Sequence, residues 1–167
     1  NSRYGKGPIP CCFTLSQSSS TGNIAFGTTL GATADGRKAG EPLNNGVSPC
    51  NGAERNGPTA AINSVSKLPS IFLQKGAIFN VRLSPDSLLS AKGRDNAASL
   101  VRALFLRYGL HIQFNVFGTA TLKAAQKNPQ EYNDLVVRIS GYSALFTPLD
   151  EKVQTDIIQR MEFDLTK

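Results

Sequence analysis

Histidine and cysteine are scarce in this sequence of 167 residues, and long apolar runs are missing. Each scarcity removes a class of function. His111 is the single histidine. No Ser or Cys accompanies it in a nucleophile setting, and neither a G-x-S-x-G string nor a Walker-type G-x-x-x-x-G-K-S/T string occurs, so ordinary hydrolase and NTPase chemistry has no starting point. Cys11, Cys12 and Cys50 are odd in number and two are adjacent, which is poor geometry for pairing with each other. None has the C-x₂-C or H-x₃-H type of spacing that zinc wants. Neither a disulfide framework nor a metal in this chain is expected. No run reaches the roughly 18 apolar residues that a span needs, and no basic-then-apolar leader opens the chain. The expectation is therefore no membrane span, no signal peptide and a cytoplasmic setting.

What is present is ordinary for one domain, or a piece of a larger one: 40% hydrophobic residues, and 18 Lys+Arg against 12 Asp+Glu. The net charge of +6 would suit a nucleic-acid partner. The basic residues are scattered, however, with no aromatic interleaving, and no nucleic acid is expected. Ten of the fifteen glycines lie between Gly5 and Gly57, and five of the nine prolines at or before Pro58. Residues 1–76 accordingly read as a loop-rich segment, with turn chemistry in Ser16–Gly22 and Asn44–Pro49 and little periodic apolar sequence. Such a segment must lie against something that shields its backbone polar groups. Residues 77–167 read as strands and helices, and the two parts are expected to form one incomplete domain.

In that second part Ala77, Phe79, Val81 and Leu83 alternate with Ile78, Asn80 and Arg82 as a strand does, up to Pro85. Asp95 is placed to cap a helix that gathers Ala97, Leu100, Val101, Leu104 and Tyr108 on one face, with Gly109 at its C-terminal cap. Leu110, Ile112, Phe114 and Val116 alternate with His111, Gln113 and Asn115, giving a strand with one apolar side and one of neutral hydrogen-bonding groups. A short helix is expected over Thr119–Lys127, a strand over Leu135–Ile139, and a further apolar stretch over Ala144–Phe146. Thr147-Pro148-Leu149-Asp150 reads as the start of a last helix, with Thr147 as N-cap, Pro148 in the first turn and the stripe Val153, Ile157, Met161. This order predicts an α/β architecture.

Gly141 lies between two apolar strand-like runs with no Asn, Asp or Pro beside it. By periodicity alone it marks a bulge or sharp bend. The full string Arg138-Ile139-Ser140-Gly141-Tyr142-Ser143-Ala144 closely resembles the radical motif of the glycyl radical enzymes, the pyruvate formate-lyase and glycerol dehydratase family. Gly31-Ala32-Thr33-Ala34-Asp35-Gly36-Arg37-Lys38-Ala39-Gly40-Glu41-Pro42 is similar to the family's G-A-x-x-D-G-R-x-x-G-x-P segment, and Gly57–Leu68 to the stretch that follows it. His111–Val116 and Ala125–Pro129 resemble the segments that precede the radical loop.

The resemblance implies the C-terminal portion of an α/β barrel with the radical glycine on a loop between two strands, buried in the complete enzyme. It implies a lyase or dehydratase-like activity whose cofactor is a glycine-centred organic radical formed after translation on Gly141. A separate radical S-adenosylmethionine activating enzyme would remove hydrogen from that α-carbon. The radical would then generate a thiyl radical on an upstream cysteine, for C–O, C–N, C–S or C–C bond cleavage of a small-molecule substrate. Glycine suits this role physically. An unpaired electron on the α-carbon is shared between the donating amide nitrogen and the withdrawing carbonyl only when the carbon becomes planar, and a Cβ would crowd the flanking peptides.

The family's thiyl cysteine lies farther upstream than this chain reaches, and Cys11, Cys12 and Cys50 do not match it. The expected identity is thus the C-terminal part of a longer polypeptide, inactive alone, whose partners include the remainder of its own chain; a homodimer is allowed. The alternatives are a free-standing glycyl radical cofactor subunit and pyruvate formate-lyase (formate C-acetyltransferase) itself. Tyr142-Ser143-Ala144-Leu145-Phe146 is more similar to the dehydratase and decarboxylase branches. Asp35 and Arg37 are expected to serve loop structure, and the His111, Gln113, Asn115 face an internal hydrogen-bonded network.

Overall fold

The computed structural model describes residues 15–73 and 75–166, so Cys11 and Cys12 lie outside the described residues. Its centre is strand β1 (Asn80–Leu83), flanked by β2 (Gln113–Asn115) and β5 (Glu162–Phe163) in a parallel sheet of order β2-β1-β5. The β1 to β2 crossover runs through α3 (Pro85–Leu89) and α4 (Ala91–Leu106). Parallel sheets need cover on both faces, and all four β1 residues are buried. The period-2 pattern therefore separates two buried faces. Phe79, Val81 and Leu83 pack on Ala61 and Ile62 of α2 (Gly57–Val65) and on Leu100 and Leu104 of α4. The opposite face carries Asn80 and Arg82, in register with Gln113 and Asn115.

A second core forms around the antiparallel hairpin of β3 (Val136–Arg138) and β4 (Ser143–Leu145). Val137, Ile139 and Phe146 pack there against Leu122 and Ala125 of α5 (Thr119–Lys127) and Ile157 of α6 (Glu151–Gln159). In the loop-rich first part, α1 (Gly22–Thr29) buries Asn23 and Ile24.

Several element boundaries differ from expectation for identifiable reasons. Helix α4 begins at Ala91, because Ser90, whose side chain accepts from the Gly93 N–H, supplies the cap one turn before Asp95. At its other end Tyr108 takes the positive φ of 62° that was expected of Gly109, and is exposed rather than on the packed face. Asp150, accepting from the Lys152 N–H, caps α6 in place of Thr147. Met161 lies beyond the end of α6 and joins the first core, while Val153 packs on the second. The strand β5 that follows was not anticipated. The ladder of β2 covers only Gln113–Asn115, and Leu110 is exposed.

Candidate functional site

Gly141 sits in the connection between β3 and β4, where Ser140 and Gly141 form a turn closed by the Ile139 N–H donating to the Tyr142 carbonyl at 2.9 Å. Its φ is +83°, a left-handed value that glycine supplies without strain. A Cβ built there would fall 2.6 Å from Ile78 Cδ1. The turn is therefore shaped around a residue without a side chain.

The polar face of the sheet holds this hairpin. Asn115 acts as a substitute strand neighbour: its Oδ1 accepts from the Arg138 N–H and its Nδ2 donates to the Arg138 carbonyl, both at 2.8 Å. Two residues along, on the same side of β2, Gln113 Oε1 accepts from the Gly141 N–H at 3.1 Å and from Arg138 Nη2 at 3.3 Å. The Gln113 amide group donates to Asn80 Oδ1, and Asn80 Nδ2 donates to Asn45 Oδ1 at 3.0 Å. Arg160 reaches the turn from behind, with Nη1 donating to the Ile139 carbonyl at 3.3 Å and Nη2 paired to Asp156 at 3.1 Å. Asn51 in turn donates to Asp156 Oδ1 at 3.1 Å.

The structure thus brings Gln113 to Gly141 and Asn115 to Arg138 on the strand leading into it. His111 instead uses Nδ1 to accept from the Phe79 N–H at 3.3 Å. Burial, and secondarily the Arg138 charge, hold its pKa below the ordinary histidine value. Arg37 donates to the Glu41 carbonyl at 2.6 Å and to those of Lys38 and Gly31, and Thr33 donates to Asp35, so both residues of the D-G-R string are engaged within their own loop. The Thr33 hydrogen bond is the main cause holding the Asp35 carboxyl below its usual range. Ser143 Oγ accepts from Arg138, and the Tyr142 hydroxyl accepts from Ser20 Oγ at 3.4 Å. Cys50 is partly buried, with its thiol on Asn44 Oδ1.

Asn45, Asn51, Asn80, Asp156 and Arg160 were not singled out from sequence. Asn80 alone carried a signal, as a polar residue at an alternate position of an apolar strand. Gly141 and Tyr142 are exposed among the described residues. The burial implied by the resemblance is not supplied by this chain's own described side chains. Among the described residues no His, Cys, Asp or Glu cluster is arranged to hold a metal ion, and no helix is long and apolar enough to cross a membrane.

Between the polar face and the 35–55 loop lies a cavity of about 730 Å³, lined in part by Asn80, Arg82, Asn115, Glu54 and Arg160. Burial pushes the Glu54 carboxyl up to about 7, against the opposing Met161 backbone hydrogen bond and the charges of Arg160 and Arg82. Glu54 binds its proton more tightly in the folded state than in the unfolded one. Its contribution to stability is therefore fully present below pH 4.5 and is lost as pH rises through about 7. Glu54→Gln is expected to flatten that part of the stability profile and to exceed the parent in stability above it. Urea midpoints measured across the interval check this, and parallel curves for the two proteins would refute it.

The glycine radical family model matches residues 43–147. The chain is 44% identical over 163 residues to the Escherichia coli (strain K12) protein named "Probable dehydratase YbiW", covering 97% of this chain and 20% of that one. It is 46% identical over 142 residues to trans-4-hydroxy-L-proline dehydratase of Clostridioides difficile, covering 85% and 18%. The glycerol-bound B12-independent glycerol dehydratase from Clostridium butyricum superposes with a TM-score of 0.91 at 46% identity, over 97% of this chain and 21% of that structure. The chain therefore spans about a fifth of the length of these relatives.

Proposed function

The chain belongs to the glycyl radical family, and from that premise we propose that Gly141 is its radical-bearing residue. One observation carries the reading: the residue at the centre of the Arg138–Ala144 string has a positive φ, a site where a Cβ would meet Ile78 Cδ1, and an amide held by a buried acceptor. The residues present fit a glycine-centred radical, because position 141 is a glycine in a turn where a Cβ would meet Ile78 Cδ1. Such a radical supplies hydrogen abstraction from a cysteine thiol, and with it cleavage of a C–O, C–N, C–S or C–C bond in a small substrate.

This chain's own part is to hold the α-carbon. Asn115 fixes the strand leading into the turn, Gln113 fixes the Gly141 amide, and Arg160 fixes the Ile139 carbonyl. A rigid tip is what near-contact hydrogen transfer demands, since small displacements are costly to such a step. The thiol, the substrate-binding groups and the cover over Gly141 belong to the remainder of a longer polypeptide. The chain's span of about a fifth of its relatives supports this. A radical S-adenosylmethionine enzyme is the activating partner. Residues 1–76 and 77–167 act as one incomplete domain, a reading supported by α2 packing in the same core as β1 and α4.

Oxygen provides the test. The full polypeptide, activated anaerobically and then exposed to air, is expected to break at Gly141, leaving an N-terminal piece that ends near Ser140 and a C-terminal piece that begins near Tyr142. Mass spectrometry of the fragments reads the position. Uncut protein from a sample shown to hold the radical would sink the assignment.

A further inference from the structure

We infer that Gln113 is a positioning residue that tunes the radical carbon through the amide of Gly141, an inference that rests on the assignment of Gly141 above. In a hairpin turn of this kind the N–H of the third residue commonly faces water. Here it meets a side-chain oxygen from a different element, 28 residues away in sequence, on a residue that is only 6% exposed.

The orientation of that carboxamide is fixed from both ends. Its oxygen faces two donors, the Gly141 N–H and Arg138 Nη2, while its amide group faces the acceptor Asn80 Oδ1. Asn80 is oriented in turn, because its own amide group donates to Asn45 Oδ1 at 3.0 Å, and its backbone is tied by the N–H donating to Ser48 Oγ at 2.9 Å. Turning the Gln113 amide over would set donors against donors. The fold therefore presents one acceptor, with no freedom to turn away, to the amide nitrogen bonded to the α-carbon of Gly141.

That nitrogen is the donating partner in delocalisation of an α-carbon radical. An acceptor on its N–H raises the electron density at nitrogen, strengthens donation into the carbon, and holds the Ser140–Gly141 peptide plane in one orientation. The Arg138 charge on the same Gln113 oxygen moderates the effect. A merely structural tie is already provided by Asn115, which satisfies both backbone groups of Arg138.

The test uses the full polypeptide labelled with ¹⁵N-glycine, activated anaerobically, and read by electron paramagnetic resonance. Gln113→Met keeps the size of the side chain and removes the acceptor. Its radical is expected to show a smaller ¹⁵N coupling than the parent and a lifetime shorter by about tenfold, the factor implied by one hydrogen bond. Gln113→Glu keeps an acceptor and makes it anionic, so its coupling is expected to exceed that of the parent. In the protein before activation, exchange of the Gly141 amide hydrogen should be faster in Q113M and restored in Q113E.

Q113M with the parent's coupling and lifetime overturns the inference while leaving the assignment of Gly141 intact. A parent that forms no radical, or one without ¹⁵N-glycine coupling, overturns both. Should Q113M fail to fold, Q113E decides: a coupling equal to the parent's refutes the role. A folded Q113M that takes up no radical supports the role if Q113E does take it up, and refutes it if neither variant does.

Discussion

Gly141→Ala is expected to reduce the radical signal of the activated full polypeptide to baseline, and turnover with it, while the protein remains folded. The two effects have different origins. Loss of the radical follows from the Cβ, which crowds the flanking peptide groups when the α-carbon becomes planar and so removes the conjugation that stabilises the unpaired electron. The effect on folding is smaller. An L-residue at a φ of +83° is strained by about 1–2 kcal/mol relative to glycine. The new methyl also meets Ile78 Cδ1 at 2.6 Å, the far end of a side chain that can change rotamer rather than a piece of backbone. Paramagnetic resonance for the radical and thermal unfolding for the fold separate the two. A Gly141→Ala protein that retained a glycine-centred signal would move the radical to another residue.

Much of this hairpin could be read from sequence because its determinants are local. Gly141 stands out as a glycine between two apolar runs, and the structure places it on the loop between β3 and β4. The extent of α5, Thr119–Lys127, was likewise legible, since Pro129 follows closely and stops it. Sequence and structure part where two residues can fill one role. Ser90 and Asp95 are both good caps, and the chain uses the first; Thr147 and Asp150 are both good caps, and it uses the second. Tyr108 displaced Gly109 as the left-handed residue because the helix closes one residue early: the Tyr108 N–H donates to the Phe105 carbonyl and the Gly109 N–H to the Leu104 carbonyl, which sets Tyr108 at the reversing position.

The support beneath Gly141 was only half legible. Alternation identified Gln113 and Asn115 as one polar face, yet nothing in the sequence joins Asn80 to Asn45 or Arg160 to the Ile139 carbonyl. Those bonds span 35 and 21 residues. They are set by the seating of the 45–48 loop on β1, where the Val47 N–H donates to the Ile78 carbonyl, and by the position of α6, both of which are tertiary facts.

Arg82→Met is expected to destabilise the protein more than loss of any exposed charge, by about 3 kcal/mol, the low end of the range for removing one member of a buried ionic pair, because the partner Glu162 is only half-buried. Arg82 is only 4% exposed. From the middle of the sheet its Nη1 donates to the Ile157 and Ile158 carbonyls at 3.2 Å, and its Nη2 donates to Thr119 Oγ1 at 3.0 Å. Those carbonyls belong to the last turn of α6, where a cation is favoured by the helix dipole. Its register neighbour Glu162, 4.0 Å from Nη2, accepts from both the N–H and the hydroxyl of Thr119, the first residue of α5, where an anion is favoured. Adjacent strands thus hold the C-terminus of one helix and the N-terminus of another with the charge that suits each.

Removing Arg82 leaves the Ile157 carbonyl without the cation that caps it and the half-buried Glu162 without its counter-charge. Glu162→Gln, which keeps an acceptor for Thr119, should be milder, at about 1 kcal/mol. The double variant Arg82→Met/Glu162→Met should recover part of the loss, because no unpaired charge remains. Urea midpoints at constant slope measure all three. Because α6 leads directly into Arg160, the donor to the Ile139 carbonyl behind Gly141, hydrogen exchange at residues 139–142 should also quicken in Arg82→Met. An Arg82→Met protein within about 1 kcal/mol of the parent would mean that the buried guanidinium does not hold α6 in place.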